Sequence, residues 1–407
     1  MKILWVSNVI IPIVCQELNI PVTVLGGWMD SVARRMTNEH EMVFVFPNRS
    51  GNIESHNENF GFYGFSKCNE NYFESMIKSE NPELIHIWGT EMKHSMCMLR
   101  ACQKCGFLDR TVVSIQGLIH YIADYHYDAG LPCKAIKART FHDLVLRNSV
   151  YEQCKKYKVR GQYEIEVLKN AKYAIGRTEW DYESIRLVNR NIEYFRCNES
   201  LRDIFYEKSW NIEKCDPLQI FMSQGHYPLK GLHMVIDALQ YVREQYPGIR
   251  LVVISKDVYK QPMYKITAYQ AYIKKLLEKY NLKDNVVFVP KMDAEKMADI
   301  ICKSRLFINA SSIENSSNSL GEAMLVGCPC IASNVGGTST FITDGVDGLL
   351  YPFNEPYTLA VKILKLLSDK SLSKKLSNNA RNRASEIFDR DKNFNAILNV
   401  YNKILGG

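Results

Sequence analysis

No stretch of the 407 residues approaches the roughly 18 consecutive apolar side chains that a bilayer-crossing helix requires. Nor does the start look like a secretory leader: Met1 to Asn8 passes straight into a strand pattern, and the expectation is a cytoplasmic protein. The glycine fingerprint of a dinucleotide-binding dehydrogenase is missing as well. After Ser7 come Asn8-Val9-Ile10-Ile11-Pro12, and the nearby glycines are Gly26 and Gly27, so Gly-x-Gly-x-x-Gly is excluded from the first strand-to-helix turn. Twelve cysteines are present, but they are scattered through apolar runs and only Cys102 and Cys105 form a close CxxC pair. Without a second pair or a histidine cluster, no tetrahedral metal site is expected, and the thiols are expected to be reduced core residues. Low-complexity segments are absent, as is any internal repeat beyond a duplicated architecture.

What is present is a βα rhythm. Candidate strands fall at residues 3–7, 42–46, 84–88, 112–115, 173–176 and 194–197, then at 219–223, 251–255, 286–289, 306–309, 330–333 and 349–351. Strands alternating with helical patterns imply parallel sheets covered by helices on both faces. The fold class is therefore α/β, and 407 residues are too many for one core. Two sets of six strands fit two Rossmann-like, doubly wound domains, at 1–205 and 206–385, with a charged linker near residues 207–216 and a terminal helix over 386–407.

Residues 309–337 concentrate the chemistry. Glu314 and Glu322 stand eight positions apart. Glu314 lies on the loop leaving the apolar strand that ends at Asn309, and Glu322 in a helix running to Gly327. Both would face the crevice at the carboxyl ends of the strands. The Asn318, Ser319 and Leu320 amides would lie at the helix's amino end, where unpaired N–H groups favour an anion such as phosphate. Two further segments have the same character. Gly26-Gly27 precedes an amphipathic helix, and Lys230 stands at the start of a helix over 232–246, where a cation is unfavourable unless an anion shares the site. A chance spacing of two acids, an ordinary glycine turn and an ordinary surface lysine are the bland alternatives.

The run from Glu314 through Gly337, continued by residues 344–350, resembles the donor-binding signature of retaining glycosyltransferases of family 4. That resemblance implies a GT-B fold, two Rossmann-like domains facing across a cleft, and transfer of a sugar from a UDP-sugar or GDP-sugar without metal or other cofactor. It implies that Glu322 binds the ribose hydroxyls and Glu314 the donor sugar or its developing charge, and that Gly26 and Gly27 face the diphosphate together with Lys230. Segment 223–231 resembles the family's Gly-Arg…Lys-Gly loop, but it is one residue shorter and His226 stands near the usual arginine. Gln116 occupies the place of a histidine that lies near the transferred sugar in the family, where it can hydrogen-bond a sugar hydroxyl or carbonyl, and His120, four residues on, either takes the histidine's role or only caps local structure. Segments 86–91 and 176–181 are similar to family enzymes that build bacterial surface polysaccharides. This makes Trp88, Glu91, Arg177 and Asp181 candidate acceptor contacts, with a structural ion pair of Arg177 as the alternative. The terminal helix would cross back onto the first domain.

The expected activity is extension of a glycan, with a lipid-linked bacterial polysaccharide precursor as acceptor. A nucleotide-sugar epimerase of the same fold and a non-catalytic nucleotide-sugar or membrane-surface binding protein are the alternatives. Net charge is +7. Residues 134–160 carry eight Lys or Arg against Asp143 and Glu152, a local excess of six. With Phe141, Leu144, Val145 and Leu146 interspersed, the segment suits an anionic membrane surface or an acceptor diphosphate, against the default of a solvated helix face. It has no nucleic-acid motif, so no nucleic-acid partner is expected. The oligomeric state is left open by the sequence.

Overall fold

The computed structural model describes residues 1–22 and 26–406. It resolves into two compact units, one of Met1–His120, Val159–Arg202 and Phe388–Gly407, the other of Tyr121–Lys158 and Asp203–Ile387.

The first unit is built on strands β1 (Lys2–Val6), β2 (Glu41–Pro47), β3 (Ile53–His56), β4 (Phe60–Phe65), β5 (Leu84–Trp88), β6 (Thr111–Ser114), β7 (Tyr173–Gly176) and β8 (Glu193–Arg196). Their order is β3-β4-β2-β1-β5-β6-β7-β8, parallel throughout except that β3 runs antiparallel to β4. The near-continuous apolar runs of β1, β2 and β5 are buried, as in a parallel sheet covered on both faces. Six of these strands sit where the sequence pattern expects them, and the hairpin β3–β4 is additional. Its glycines explain why the pattern missed it. Gly61 leaves room for the His56 ring and Gly64 for Ile53 across the hairpin, and glycine normally weakens a strand prediction.

The helix Arg390–Ile404 belongs to this unit and places Phe394, Ile397, Val400 and Tyr401 in one core with Trp5 and Trp88. Tyr401 closes a buried polar chain. Its hydroxyl accepts from Trp5 Nε1 at 3.0 Å and shares a 2.6 Å hydrogen bond with His86 Nδ1, while His86 Nε2 meets Ser114 Oγ at 2.7 Å. Burial pushes the His86 pKa down to about 3, so the ring is neutral.

The second unit contains β9 (Asp216–Met222), β10 (Arg250–Ile254), β11 (Val286–Val289), β12 (Ser304–Asn309), β13 (Cys330–Ser333) and β14 (Leu349–Tyr351), all parallel in the order β11-β10-β9-β12-β13-β14. In chain order this is the doubly wound 3-2-1-4-5-6 arrangement, which reverses direction between β9 and β12. Residues at and just past the carboxyl ends of those two strands, among them Ser223, Gln224, Asn309 and Ser311, line a crevice there.

The division into units differs from the linear one at 205/206. Segment 121–158 packs with the second unit: Asp143 Oδ2 accepts from the Ala268 N–H at 2.7 Å, the Ala129 carbonyl meets His233 Nε2 at 2.8 Å, and the His126 carbonyl accepts from Ser312 Oγ at 3.2 Å. The charged stretch expected to be a linker is also part of that unit, with Trp210 buried and its indole N–H donating to the Ser304 carbonyl at 2.8 Å. No helix among the described residues is long and apolar enough to cross a membrane.

Candidate functional site

At the β9 end of the crevice the chain passes through Ser223 and Gln224 into a short 3-10 turn, Pro228–Lys230, and then into the helix Leu232–Gln245. Gly231 joins the two in the left-handed region, at φ 71°. Any Cβ there would strike the Ala310 carbonyl oxygen, so glycine lets the β9 loop press directly on the β12 loop. The Ser312 N–H donates to the Leu229 carbonyl at 2.8 Å and stitches the two loops together.

This contact brings Lys230 onto Glu314. The ammonium and Glu314 Oε1 form a direct ion pair, and Ser311 Oγ donates to the same oxygen at 2.6 Å. Both side chains are mostly enclosed, with Ser223, Gln224, Asn309 and Ser319 lining the same crevice. Burial alone lowers the Lys230 pKa, but the Glu314 carboxylate more than offsets it and holds the lysine above its ordinary value. The backbone of Glu314 is fixed in turn by the glycine pair downstream. The Gly337 N–H donates to its carbonyl at 2.9 Å, and Gly336 approaches so closely that a Cβ would collide with that oxygen.

The helix following Glu314 runs from Asn318 to Val326 and ends at Gly327, φ 83°, as its glycine predicts. It starts three residues before the pattern's first clear position. Ser317 lies just outside it, with Oγ accepting from Asn309 Nδ2 at 2.7 Å and 3.3 Å from Ser319 Oγ. The amides of Asn318, Ser319 and Leu320 are thus at the helix's amino end beside the crevice, and Asn318 Oδ1 is buried without a hydrogen-bond partner. Glu322 is in the second turn and only 3 % exposed.

His226 lies on the same loop as Lys230, with its ring edge-on to Tyr227 at 4.6 Å. Partial burial and then the charges of Lys230, Lys291 and Lys256 lower its pKa. Lys256 follows β10 and Lys291 follows β11, so lysines from three successive strand ends give this rim a positive potential. Sequence reasoning singled out only Lys230. The other two carry no local motif, and their position just past a strand end was the only available signal.

The remaining candidates belong to the first unit, around the reversal point between β1 and β5. Gly26 is left-handed, φ 88°, and a Cβ there would lie 2.9 Å from Val9 Cγ2, while Gly27 opens the helix Gly27–Glu39. Glu91 is buried and bonded to Asn8 Nδ2 at 3.3 Å and Arg160 at 3.1 Å. Its pKa is raised, chiefly by burial, against the pull of Arg160. His120 is held by Glu164, which receives its backbone N–H at 2.9 Å and contacts Nδ1 at 2.6 Å. Gly161 permits that approach, since a Cβ would sit 2.6 Å from the His120 Cα. Glu164 is fully buried and also accepts from Thr90 at 3.1 Å, a role that no sequence motif indicated.

Trp88 stacks on His86 at 4.0 Å with its indole N–H buried and unpartnered. Arg177 is buried, pairs with Glu199 at 2.5 Å and donates to the Ile115 carbonyl at 3.0 Å, while Gln116 donates to Glu199 at 3.4 Å. Trp88, Arg177, Glu199 and Cys197 line one small pocket. Asp181 accepts from the Arg177 backbone N–H at 2.9 Å. Its carboxylate completes the cap of the helix Glu179–Val188 with Thr178 and accepts from Tyr194 at 2.6 Å.

Two units of this topology define the GT-B fold of glycosyltransferases, and solved structures agree over the whole length. Sucrose-phosphate synthase from Thermosynechococcus elongatus superposes with a TM-score of 0.68 at 16 % identity, covering 100 % of this chain and 99 % of that one. Anabaena HepE, solved in complex with UDP-glucose, does so with a TM-score of 0.68 at 14 % identity, covering 99 % and 100 %. Residues 205–383 match the family glycosyl transferases group 1, which takes in the crevice and every candidate residue of the second unit. Among relatives by sequence, N-acetyl-alpha-D-glucosaminyl L-malate synthase of Bacillus anthracis is 29 % identical over 133 residues, 33 % of this chain and 34 % of that protein. The chain spans about half of the length of the first curated relatives it matches, or less.

Proposed function

We propose that the protein is a retaining glycosyltransferase that moves a sugar from a nucleoside diphosphate sugar to a glycan acceptor, a lipid-linked bacterial polysaccharide precursor. The observation that carries the reading is the Lys230–Glu314–Ser311 cluster beside the amino end of the helix Asn318–Val326, at the reversal point of the second sheet. A diphosphate seated there meets a lysine and unpaired helix amides, which suit an anion, while the buried, unpartnered Asn318 Oδ1 suits a donor such as a sugar hydroxyl. The similarity of residues 205–383 to group 1 glycosyl transferases, and the UDP-glucose held by the structurally similar HepE, support a nucleotide-sugar donor.

In this reading Glu322 receives the ribose hydroxyls. Lys230 divides its charge between Glu314 and the diphosphate, and no metal is needed to neutralise the leaving group. As the bond from the anomeric carbon to the diphosphate oxygen breaks, negative charge builds opposite Lys230 and the amides near Ser319 and Leu320. Glu314 faces the positive charge developing on the sugar. The acceptor hydroxyl adds on the same face as the departing group and its proton passes to the released diphosphate, so the anomeric configuration is kept. Gly26 and Gly27, Gln116, His226 and His120, the last oriented through Nδ1 by Glu164, complete the donor side. Trp88, Glu91 and Arg177 with Glu199 serve the acceptor.

Proton NMR of the products decides the matter. A donor sugar appearing on acceptor with unchanged anomeric configuration is expected. Release of an epimerised donor without acceptor would make the protein an epimerase, and an inverted product would overturn retention.

A further inference from the structure

The helix Phe141–Leu146 buries its acid and exposes its apolar residues. Asp143 is fully buried, where it caps the helix through Thr140 and accepts from the Ala268 N–H at 2.7 Å, clamping the helix to the second unit. Phe141 is 68 % exposed, and Leu144, Val145 and Leu146 are each more than half exposed. A helix resting on a core normally shows the opposite arrangement. Against it packs a turn from over a hundred residues away, Met263–Lys265, whose Met263 is 87 % exposed and whose Tyr264 is also exposed. Six large exposed apolar side chains thus come from two distant segments that lie against each other, and clustered apolar surface on a folded protein marks an interaction site.

The charge around the patch identifies the partner. Lys134 and Lys137 lie on a short helix, Cys133–Lys137, that packs on the same Ala268–Lys279 helix to which Asp143 is bonded. Arg139, Arg147 and Lys265 are exposed beside the apolar residues. Of the two acids in residues 134–160, one is Asp143, whose carboxylate is turned inward. We propose that this patch is a docking surface for an anionic lipid bilayer: apolar tips sink into the boundary between headgroups and acyl chains while the lysines and arginines remain among the phosphates. A second copy of the chain would bring two positive rims together, which disfavours self-association. The inference rests on the patch alone and stands or falls separately from the donor site.

Vesicle co-sedimentation tests it, with phosphatidylcholine vesicles and with vesicles of equal parts phosphatidylcholine and phosphatidylglycerol. The expected result is binding to the anionic vesicles, weakened by salt and little to the neutral ones. Replacing Lys134 and Lys137 by glutamine is expected to weaken binding about fivefold for each charge removed. Phe141→Ser with Leu144→Ser should weaken it by about tenfold or more, with an unchanged melting point because both side chains are already exposed. Independently, Phe141→Trp should show a blue-shifted emission on adding anionic vesicles. Absence of binding, equal binding to neutral vesicles, or binding indifferent to these substitutions would overturn the proposal. So would a dimer in sedimentation velocity that the Phe141/Leu144 variant dissociates, which would assign the patch to a second copy.

Discussion

Lys230 and Glu314, 84 residues apart in the chain, form an ion pair at the mouth of the second sheet, and Ser311 bonds the same carboxylate oxygen. The sequence shows them as separate motifs on separate loops. The structure makes them one unit, because Gly231 allows the β9 loop to rest on Ala310 and the Gly336–Gly337 turn holds the Glu314 backbone. The lysine is thereby held in its crevice as an ammonium before any ligand arrives, an arrangement that lowers the cost of ordering it around a diphosphate.

Substitutions in this unit should separate its roles. Lys230→Ala is expected to lower turnover by about 100- to 1000-fold, more than it weakens donor binding, since its charge matters most as the glycosidic bond breaks. Glu314→Gln preserves the acceptor for Ser311 but removes the negative charge, so turnover should fall with donor affinity little changed. Glu322→Ala should mainly weaken donor binding, by about 1.5 to 3 kcal/mol for the lost charge-assisted hydrogen bonds. Steady-state kinetics and donor calorimetry on variants matched for melting point check all three. Parent-like behaviour in every variant would remove the functional assignment of the crevice.

Much of this site was legible in the sequence because strand ends and helix starts announce themselves locally. Asn309, Glu314, the helix around Glu322 and its closing Gly327 form one short segment whose apolar run, polar turn and glycine each have a local signature. Lys230 was legible because a cation at a helix start is costly without an anion. Lys256, Lys291 and Glu164 were not, since what makes them relevant is strand order and side-chain packing rather than any neighbour in the chain. The same holds for segment 121–158. Its place in the second unit is decided by bonds such as Asp143 to Ala268 and Ala129 to His233, which no local pattern contains. Asp181 caps the helix Glu179–Val188, a role that depends on the fold around it, since a helix-capping aspartate and a ligand-binding one look alike in the sequence.

Gly231→Ala is a stringent test of how the crevice is assembled. Alanine at φ 71° with its Cβ against a backbone oxygen has no relaxed solution. The left-handed strain alone costs about 1 to 3 kcal/mol, and about 2 to 4 °C of melting temperature should be lost for each kcal/mol. Donor affinity should drop in parallel, because relieving the clash separates the two loops. Retained affinity in a destabilised protein would show that the contact between the loops does not matter to the ligand.

Nucleotide binding should be visible without added metal. A ligand at 100 times its dissociation constant stabilises the folded state by about 2.7 kcal/mol. Differential scanning fluorimetry with UDP, GDP and their sugars in the presence of a chelator should therefore show one nucleotide class raising the melting point by several degrees. No shift at millimolar concentration with any of them would rule out the donor site as described.

Acid sensitivity of the first unit should trace to His86. Buried between Trp88, Tyr401 and Ser114, its pKa falls from an ordinary 6.5 to about 3. Between those values the unfolded chain binds a proton that the folded chain refuses, so stability rises with pH across the window. The contribution is complete above about 6.5 and is lost progressively as the pH falls toward 3, at up to about 1.4 kcal/mol per pH unit. His94, lowered to about 4 by burial in the same unit, adds to the slope. Denaturant unfolding at pH 7 and pH 5 should show the parent losing more stability than His86→Phe. That variant will be weaker at both values, because Tyr401 and Ser114 lose a partner, but its pH slope should be shallower. An equal slope in the two proteins would mean that His86 is protonated in the folded state and that the Trp5–Tyr401–His86–Ser114 chain accommodates the charge.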